Sequence, residues 1–318
     1  MDGANYSMTT DLRTALLAAT LAACSDTSWP DPPPVDPEVL TSEHEQWRAN
    51  RHGSLANPDA GVISWAGLWE LEEGANSFGS DPSLDIVLPG GDSPPVAGTL
   101  HLEGSQVRLE PTEGSGLTLD AGDPVTAPMP LLDDRSGNTT VLALGSLGLR
   151  IHAERGTDRL WLRVWDTDAP RIAAFELPPY FAVSEEWRVM ARFDPYDEPR
   201  TVPLADVTGG MVSNEAPGEL VFRAGGREHR LIAFATTTSR SYFVTLWDST
   251  GVADTYQGGR YMRVPLADDD GWTTIDFNRA YNPPCVFTPY SVCSLPPREN
   301  RLSLAVTAGE KRPLDAPY

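Results

Sequence analysis

The chain has 318 residues, with 45 acidic side chains against 24 basic ones and a formal net charge of −21. A hydrophobic fraction of 40% with 27 glycines reaches the ordinary globular range, and 29 prolines make the chain rich in turns without a low-complexity composition. The acid excess opposes binding to nucleic acid or to an anionic lipid surface, and the length suggests two domains.

From the N-terminus, residues 13–23 form an apolar run behind Arg13. It is too short to span a bilayer, which takes about 20 residues, and suits a secretory h-region. The run closes at Leu21-Ala22-Ala23-Cys24, which resembles the lipobox of bacterial lipoproteins. That resemblance implies a signal peptide over 1–23, acylation of the Cys24 thiol, and an exported protein held at the membrane of the cell envelope. Asp2 and Asp11 leave the preceding stretch without net positive charge, and a start at Met8 shortens it. Residues 24–38 follow, with five prolines between positions 30 and 37. They predict an extended tether rising about 3.1 Å per residue.

The spacing of Val39, Leu40 and Trp47 predicts one short helix from Pro37 to about Arg51. Downstream, apolar and polar residues alternate in Thr99-Leu-His-Leu, Gln106-Val-Arg-Leu, Leu147-Gly-Leu-Arg-Ile-His and Arg159-Leu-Trp-Leu-Arg-Val-Trp. Such alternation marks half-buried antiparallel strands, and the turns at Pro89-Gly-Gly-Asp, Glu113-Gly-Ser-Gly and Ser136-Gly-Asn favour a sandwich or barrel. Asp166-Thr-Asp-Ala-Pro170 breaks the pattern and separates a helix-plus-sandwich domain over 39–166 from a second β domain over 167–312, with a tail at 313–318. In the second domain Trp187–Phe193, Leu220–Arg223, Glu228–Phe234, Ser241–Trp247 and Trp272–Ile275 read as strands. The expected class is mostly β: a sandwich followed by a second antiparallel β domain, with one short N-terminal helix.

Residues 76–102, with Gly79 and then Asp85-Ile86-Val87-Leu88 before a strand, resemble the core of forkhead-associated domains. In that family an arginine after the glycine and a downstream Ser/His pair bind phosphothreonine. Here Ser80 stands at the arginine position and Ala97-Gly98 where the serine would be, so the resemblance implies a sandwich without its phosphopeptide site. A second resemblance is carried by Gly259-Arg260-Tyr-Met, Asp276-Phe-Asn-Arg-Ala-Tyr-Asn-Pro-Pro-Cys285, Cys293, Glu299-Asn-Arg-Leu and Ala308-Gly-Glu-Lys, with Trp65–Leu71 and Trp187–Phe193 upstream. These are similar to the uncharacterised prokaryotic family catalogued as domain of unknown function sixteen eighty-four, over about 45–311. That similarity implies a family and no established activity.

The C-terminal stretch is dense in strongly bonding side chains: Asp248, Tyr256, Arg260, Asp276, Asn278, Arg279, Tyr281, Asn282 and Glu299. If the strand Trp272–Ile275 continues, Asp276 and Asn278 project to one side, and two arginines offer planar forks for a carboxylate or phosphate. The same residues could instead satisfy the backbone of the irregular Asn282-Pro-Pro-Cys turn, and Asp276 or Glu299 could serve a metal. With Cys24 lipidated, Cys285 and Cys293 remain as a disulfide, as buried thiols, or in a metal or catalytic role; a disulfide would add roughly 2–3 kcal/mol. Asp268-Asp-Asp-Gly lacks full calcium-loop spacing and reads as a solvated hairpin. The five histidines show no metal spacing, and the tryptophans read mostly as core. No Gly-x-Ser-x-Gly elbow, phosphate loop, dinucleotide fingerprint or His-Glu-x-x-His occurs, and no cofactor is implied. The leading expectation is a lipid-anchored, non-catalytic module that binds a small molecule or an envelope component. The alternatives are an enzyme such as a hydrolase, or a small-anion binder, with a pocket around Arg260, Asp276 and Arg279.

Overall fold

Asp36 and Pro37 begin the one long helix. In the computed structural model, which describes residue 1 and residues 29–90, 93–154 and 156–313, α1 runs Pro37–Leu55. The Asp36 side chain accepts the Glu38 N–H at 2.8 Å, and proline at the first helical position forfeits no hydrogen bond. The helix outruns the expected end at Arg51 because its docking stripe is Leu40, His44, Trp47, Arg51 and Leu55, spaced by three and four residues. Val39 stays 49% exposed. The apolar run 13–23, Cys24 and residues 314–318 lie outside the described residues.

The remaining regular structure is mostly β, and all of it belongs to the unit Asp31–Tyr318. Ten strands come first: β1 Trp65–Glu70, β2 Gly74–Gly79, β3 Ile86–Val87, β4 Gly98–Glu103, β5 Gln106–Pro111, β6 Thr118–Leu119, β7 Met129–Leu131, β8 Val141–Leu144, β9 Leu147–Ala153 and β10 Leu160–Asp166. They form two five-stranded sheets, ordered β1-β10-β9-β8-β6 and β3-β2-β4-β5-β7. All pairs are antiparallel except the short parallel pair β2/β3. Phe78, Leu100, Leu109, Leu149, Ile151 and Val164 meet in one core between the sheets. Alternation puts Leu160, Leu162 and Val164 of β10 into that core and Trp161, Arg163 and Trp165 on the opposite face. Arg163 and Trp165 are buried nonetheless, so the outer face of this sheet is itself covered.

After the single turn α2 (Pro170–Ala173) come β11 Arg188–Ala205, β12 Met211–Ala224, β13 Arg227–Ala233, β14 Ser241–Leu246, β15 Arg260–Pro265 and β16 Trp272–Asp276. The sheet order is β13-β12-β11-β16, with β14-β15 as a separate pair joined to β13 through the bridge Phe234–Phe243. Leu220, Phe222, Leu231, Val244, Ile275 and Phe277 fill the second core. The β12–β13 turn is Gly225-Gly226, both at positive φ (56° and 74°), the geometry a two-residue hairpin demands. Asn300 is fully buried and ties β13 to β14: its amide donates to the carbonyls of Ile232 (3.1 Å) and Thr245 (2.8 Å), and its oxygen accepts the Ile232 N–H at 2.6 Å.

Helix α1 is anchored on the second unit through polar contacts. Burial keeps His44 below its ordinary pKa and neutral, and because its partner is the Asn278 carbonyl (2.8 Å), Nε2 must be the donor. Arg51 donates to both oxygens of Glu310, which is fully buried, and to the Asn282 carbonyl at 3.0 Å. Glu310 also accepts from the Tyr180 hydroxyl and the Asn282 N–H, each at 2.6 Å. Removing one partner of a buried ion pair leaves the other uncompensated, at about 3–5 kcal/mol. Glu310→Gln is expected to lower the chemical-denaturation stability by that amount, and the double change Arg51→Met with Glu310→Leu to recover most of it.

Candidate functional site

The residues that the sequence groups together are separated in space. Asp248 and Arg260 do pair, at 2.7 Å, with 2% and 1% side-chain exposure. Arg260 also donates to the carbonyls of Val306 (3.1 Å) and Ala308, while Asp248 accepts from Val306 N (3.1 Å) and from the Thr250 N–H and hydroxyl at 3.0 and 2.6 Å. This pair fastens the 306–308 segment to the second core. Asp276 does not continue an extended strand with Asn278 as expected. β16 stops there, and Asp276 caps the 3₁₀ turn Phe277–Arg279, accepting the Asn278 N–H (3.1 Å) and amide (2.9 Å). Buried Asn278 spends its remaining capacity on the Ser184 backbone, at 2.9 and 3.1 Å. Arg279 lies at the surface between Asp276 (3.4 Å) and Glu43 (3.5 Å). Asn282 donates to the Lys311 carbonyl at 2.8 Å, Tyr281 lies under the Arg51 guanidinium at 4.6 Å, and Glu299 is exposed on the turn Arg298–Asn300. Arg260, Asp276 and Arg279 therefore do not converge, and none of them lines the cleft described next.

Cys285 and Cys293 are free, buried thiols rather than a disulfide. The Cys293 sulfur instead accepts the Cys285 N–H at 3.1 Å and contacts the Ser291 hydroxyl at 3.5 Å. The Tyr256 hydroxyl sits 3.9 Å from the Cys285 sulfur. Among the described residues no group of three or more His, Cys, Asp or Glu side chains is placed to hold a metal ion.

A cleft of about 430 Å³ opens where the covered outer face of the first sandwich meets the second unit. Trp65, His152, Trp161 and Arg163 line one side, and Arg263 and Cys293 the other. Arg163 is 3% exposed. Its guanidinium lies 3.8 Å from the Trp65 ring centroid and makes one hydrogen bond, to the Tyr290 carbonyl at 3.0 Å. Its buried Nε has no partner, and among the described residues it forms no ion pair. The register places it directly opposite Arg150, a like charge. Asp134, the nearby acid, already serves the His152 imidazole (2.6 Å) and the Ala153 N–H (3.0 Å). Glu154, also in the cleft, is taken by Arg159 at 2.6 and 2.9 Å. Burial, with Arg150 adding, holds the Arg163 pKa down to about 10. A displacement of that size corresponds to an unfavourable interaction on the order of 3 kcal/mol. Arg263 is exposed and stacks on Phe243 at 4.8 Å.

The sequence argument overlooked Arg163. One signal was available: outward positions Trp161, Arg163 and Trp165 in β10 are too apolar for a solvated sheet face.

Residues 173–311 match the model of the family described as Protein of unknown function (DUF1684). Over this part the chain belongs to that family. A solved relative is the uncharacterized protein from gene locus rrnAC0354 of Haloarcula marismortui, determined by solution NMR. It is 34% identical over 45% of this chain and 80% of its own, with a TM-score of 0.38. No curated protein matches. The DUF1684 part supplies Arg263 and Cys293 to the cleft, whereas Arg163, His152 and both tryptophans come from residues before it.

The two kinds of arginine should respond differently to mutation. Asp248→Asn, which strands the Arg260 charge in the core, is expected to cost about 3–5 kcal/mol in urea unfolding. Arg279→Ala, which removes only an exposed pair, is expected to cost under about 1 kcal/mol.

Proposed function

We propose that this protein is a non-catalytic module that binds a small carboxylate- or phosphate-bearing molecule in the cleft between its two β units, and that Cys24 tethers it to the cell envelope. One observation carries the ligand class: Arg163 is a buried guanidinium with no ion-pair partner among the described residues, in a space that opens to solvent. A buried charge that lacks a partner is costly, and an entering anion relieves that cost while forming charge-assisted hydrogen bonds. Arg263 adds a second cation at the same cleft, and the rings of Trp161 and Phe243 offer apolar contact to the body of an organic acid. The side chains first considered for catalysis are engaged in structural hydrogen bonds, which favours binding over turnover.

In this reading the first sandwich is a forkhead-associated-like scaffold that has lost its phosphothreonine site. Ser80, at the position of the family's arginine, donates to the Ser93 carbonyl at 2.9 Å. Binding has moved to the outer face of its β9/β10 pair. The lipobox-like Cys24, the proline-rich spacer and the net charge of −21 support an acidic body held away from an anionic membrane.

Thermal unfolding with phosphate, citrate and benzoate, each against chloride at matched ionic strength, tests the site. At least one should stabilise the protein, by about 2.7 kcal/mol at a hundredfold excess over Kd. Arg163→Met should abolish that gain and leave the ligand-free protein as stable as before or more so. Absence of any shift beyond the chloride controls would sink the proposal. For the tether, Cys24→Ser expressed in a bacterial host should move the protein from the membrane fraction to the soluble one; unchanged membrane retention would count against the anchor.

A further inference from the structure

We infer that Cys285 and Cys293 form a reversible dithiol/disulfide couple, a redox switch within the binding module, that a small hydroperoxide arriving through the cleft oxidises, with Cys293 as the attacking sulfur and Cys285 as the resolving one. The inference shares Arg163 with the anion proposal but does not need an anion to bind, because the reacting atoms are two sulfurs and a peroxide.

The geometry divides the two roles. Cys293 lines the cleft, so an oxidant as small as hydrogen peroxide can reach it although the residue is only 4% exposed. Cys285 does not line the cleft and packs in one cluster with Cys293, Tyr256, Tyr261 and Tyr281. The two residues are in contact: the Cys293 sulfur sits 3.1 Å from the Cys285 backbone nitrogen. The Cys285 thiol also hydrogen-bonds the Cys293 sulfur, so the two sulfurs are already neighbours.

The surroundings favour charge on Cys293. Its sulfur takes hydrogen bonds from the Cys285 thiol, the Ser291 hydroxyl and the Cys285 N–H, and these hold its pKa below the ordinary thiol value against the opposing effect of burial. The Arg163 guanidinium, unpaired and in the same cleft, attracts a thiolate there. Cys285 is pushed the other way by its contact with Cys293 and by burial, so it stays a protonated thiol until the first step is complete. The segment that carries Cys293 is held in place while this happens: its carbonyl accepts the Val207 N–H at 3.1 Å, and the next carbonyl accepts the Tyr261 hydroxyl at 2.8 Å.

The chemistry balances in two steps. The Cys293 thiolate attacks one oxygen of hydrogen peroxide; the O–O bond breaks, hydroxide leaves, and Cys293 becomes a sulfenic acid. The Cys285 sulfur then attacks the sulfenic sulfur; the S–S bond forms, the S–O bond breaks, and the Cys285 proton leaves with that oxygen as water. Two thiols and one peroxide yield one disulfide and two waters, and an external thiol restores the starting state by exchange.

The test uses the full chain carrying Cys24→Ser, so that only the pair can react. After exposure of the folded, reduced protein to hydrogen peroxide, non-reducing peptide mapping should find an intramolecular Cys285–Cys293 bridge that dithiothreitol reverses. Adding Cys285→Ser should halt the reaction at a sulfenic acid on Cys293, captured by dimedone, whereas Cys293→Ser should slow modification of Cys285 at least tenfold. The inference fails if the folded protein keeps both thiols while the urea-unfolded chain oxidises, or if dimedone labels Cys285 faster than Cys293. The wild-type pair is mapped without either serine variant, so a variant that does not fold leaves the first result decisive.

Discussion

A β-sheet has two faces, and the sheet β1-β10-β9-β8-β6 buries part of both. Its inner face closes the first core through Leu149, Ile151, Leu162 and Val164, as any sandwich requires. Its outer face carries Trp161, Arg163 and Trp165, and segment 284–294 of the second unit meets it through the Arg163–Tyr290 contact and the lining of the cleft. Much else in the molecule follows from this doubled burial. The two β units share a boundary, a cleft remains where their surfaces do not match, and a guanidinium placed on a strand by simple alternation ends in a low-dielectric setting. The DUF1684 match begins at residue 173, close to where the second β unit starts, so the cleft is lined both by residues inside that match and by residues before it.

Periodicity made the elements legible. Apolar residues two apart in Leu147–His152 and Arg159–Trp165 became β9 and β10. The helix ran further than expected because polar residues share its docking stripe. His44 and Arg51 are held by Asn278 and Glu310, and their role depends on partners 234 and 259 residues away. No local pattern reports contacts at that separation. The density of bonding side chains between 248 and 299 was real, but its geometry was hidden. Asp276 and Asn278 meet through a 3₁₀ turn instead of a strand, and Asp248 finds Arg260 inside a core. Composition can show that polar groups are numerous; only the fold decides whether they face solvent or each other.

The net charge of −21 sets the conditions under which an anion could reach such a cleft. The summed field of the protein repels an incoming carboxylate or phosphate, but screening confines that repulsion to about 8 Å at physiological ionic strength. Arg163 and Arg263 line the cleft and Arg150 lies opposite Arg163, while Asp134 is already hydrogen-bonded to His152 and Ala153 and Glu154 is paired with Arg159. A long-range barrier thus coexists with a short-range well. Such a site selects small ligands that can enter the cleft and discriminates against polyanions, whose remaining charges would stay in the repulsive field.

Among the described residues, Arg51, Arg163 and Arg260 are largely withdrawn from water, and comparing them separates structure from function. Arg51 is matched by Glu310 and Arg260 by Asp248, each with a backbone carbonyl as a further acceptor, although the Arg260 Nε, like that of Arg163, has no partner. The acid is 259 residues away in one case and 12 in the other, and in both a buried charge serves a scaffold: each partner satisfies the other and fixes one arrangement. Arg163 has the same burial and none of that compensation, only one carbonyl and one indole face. A protein that supplies a carboxylate to two buried guanidiniums and withholds one from the third has left that third charge available to something else. The two candidates in reach are a solute anion and the Cys293 sulfur across the cleft. They compete for the same field, so an anion seated at Arg163 would withdraw stabilisation from the Cys293 thiolate, and the binding site and the thiol pair are electrostatically linked through one residue.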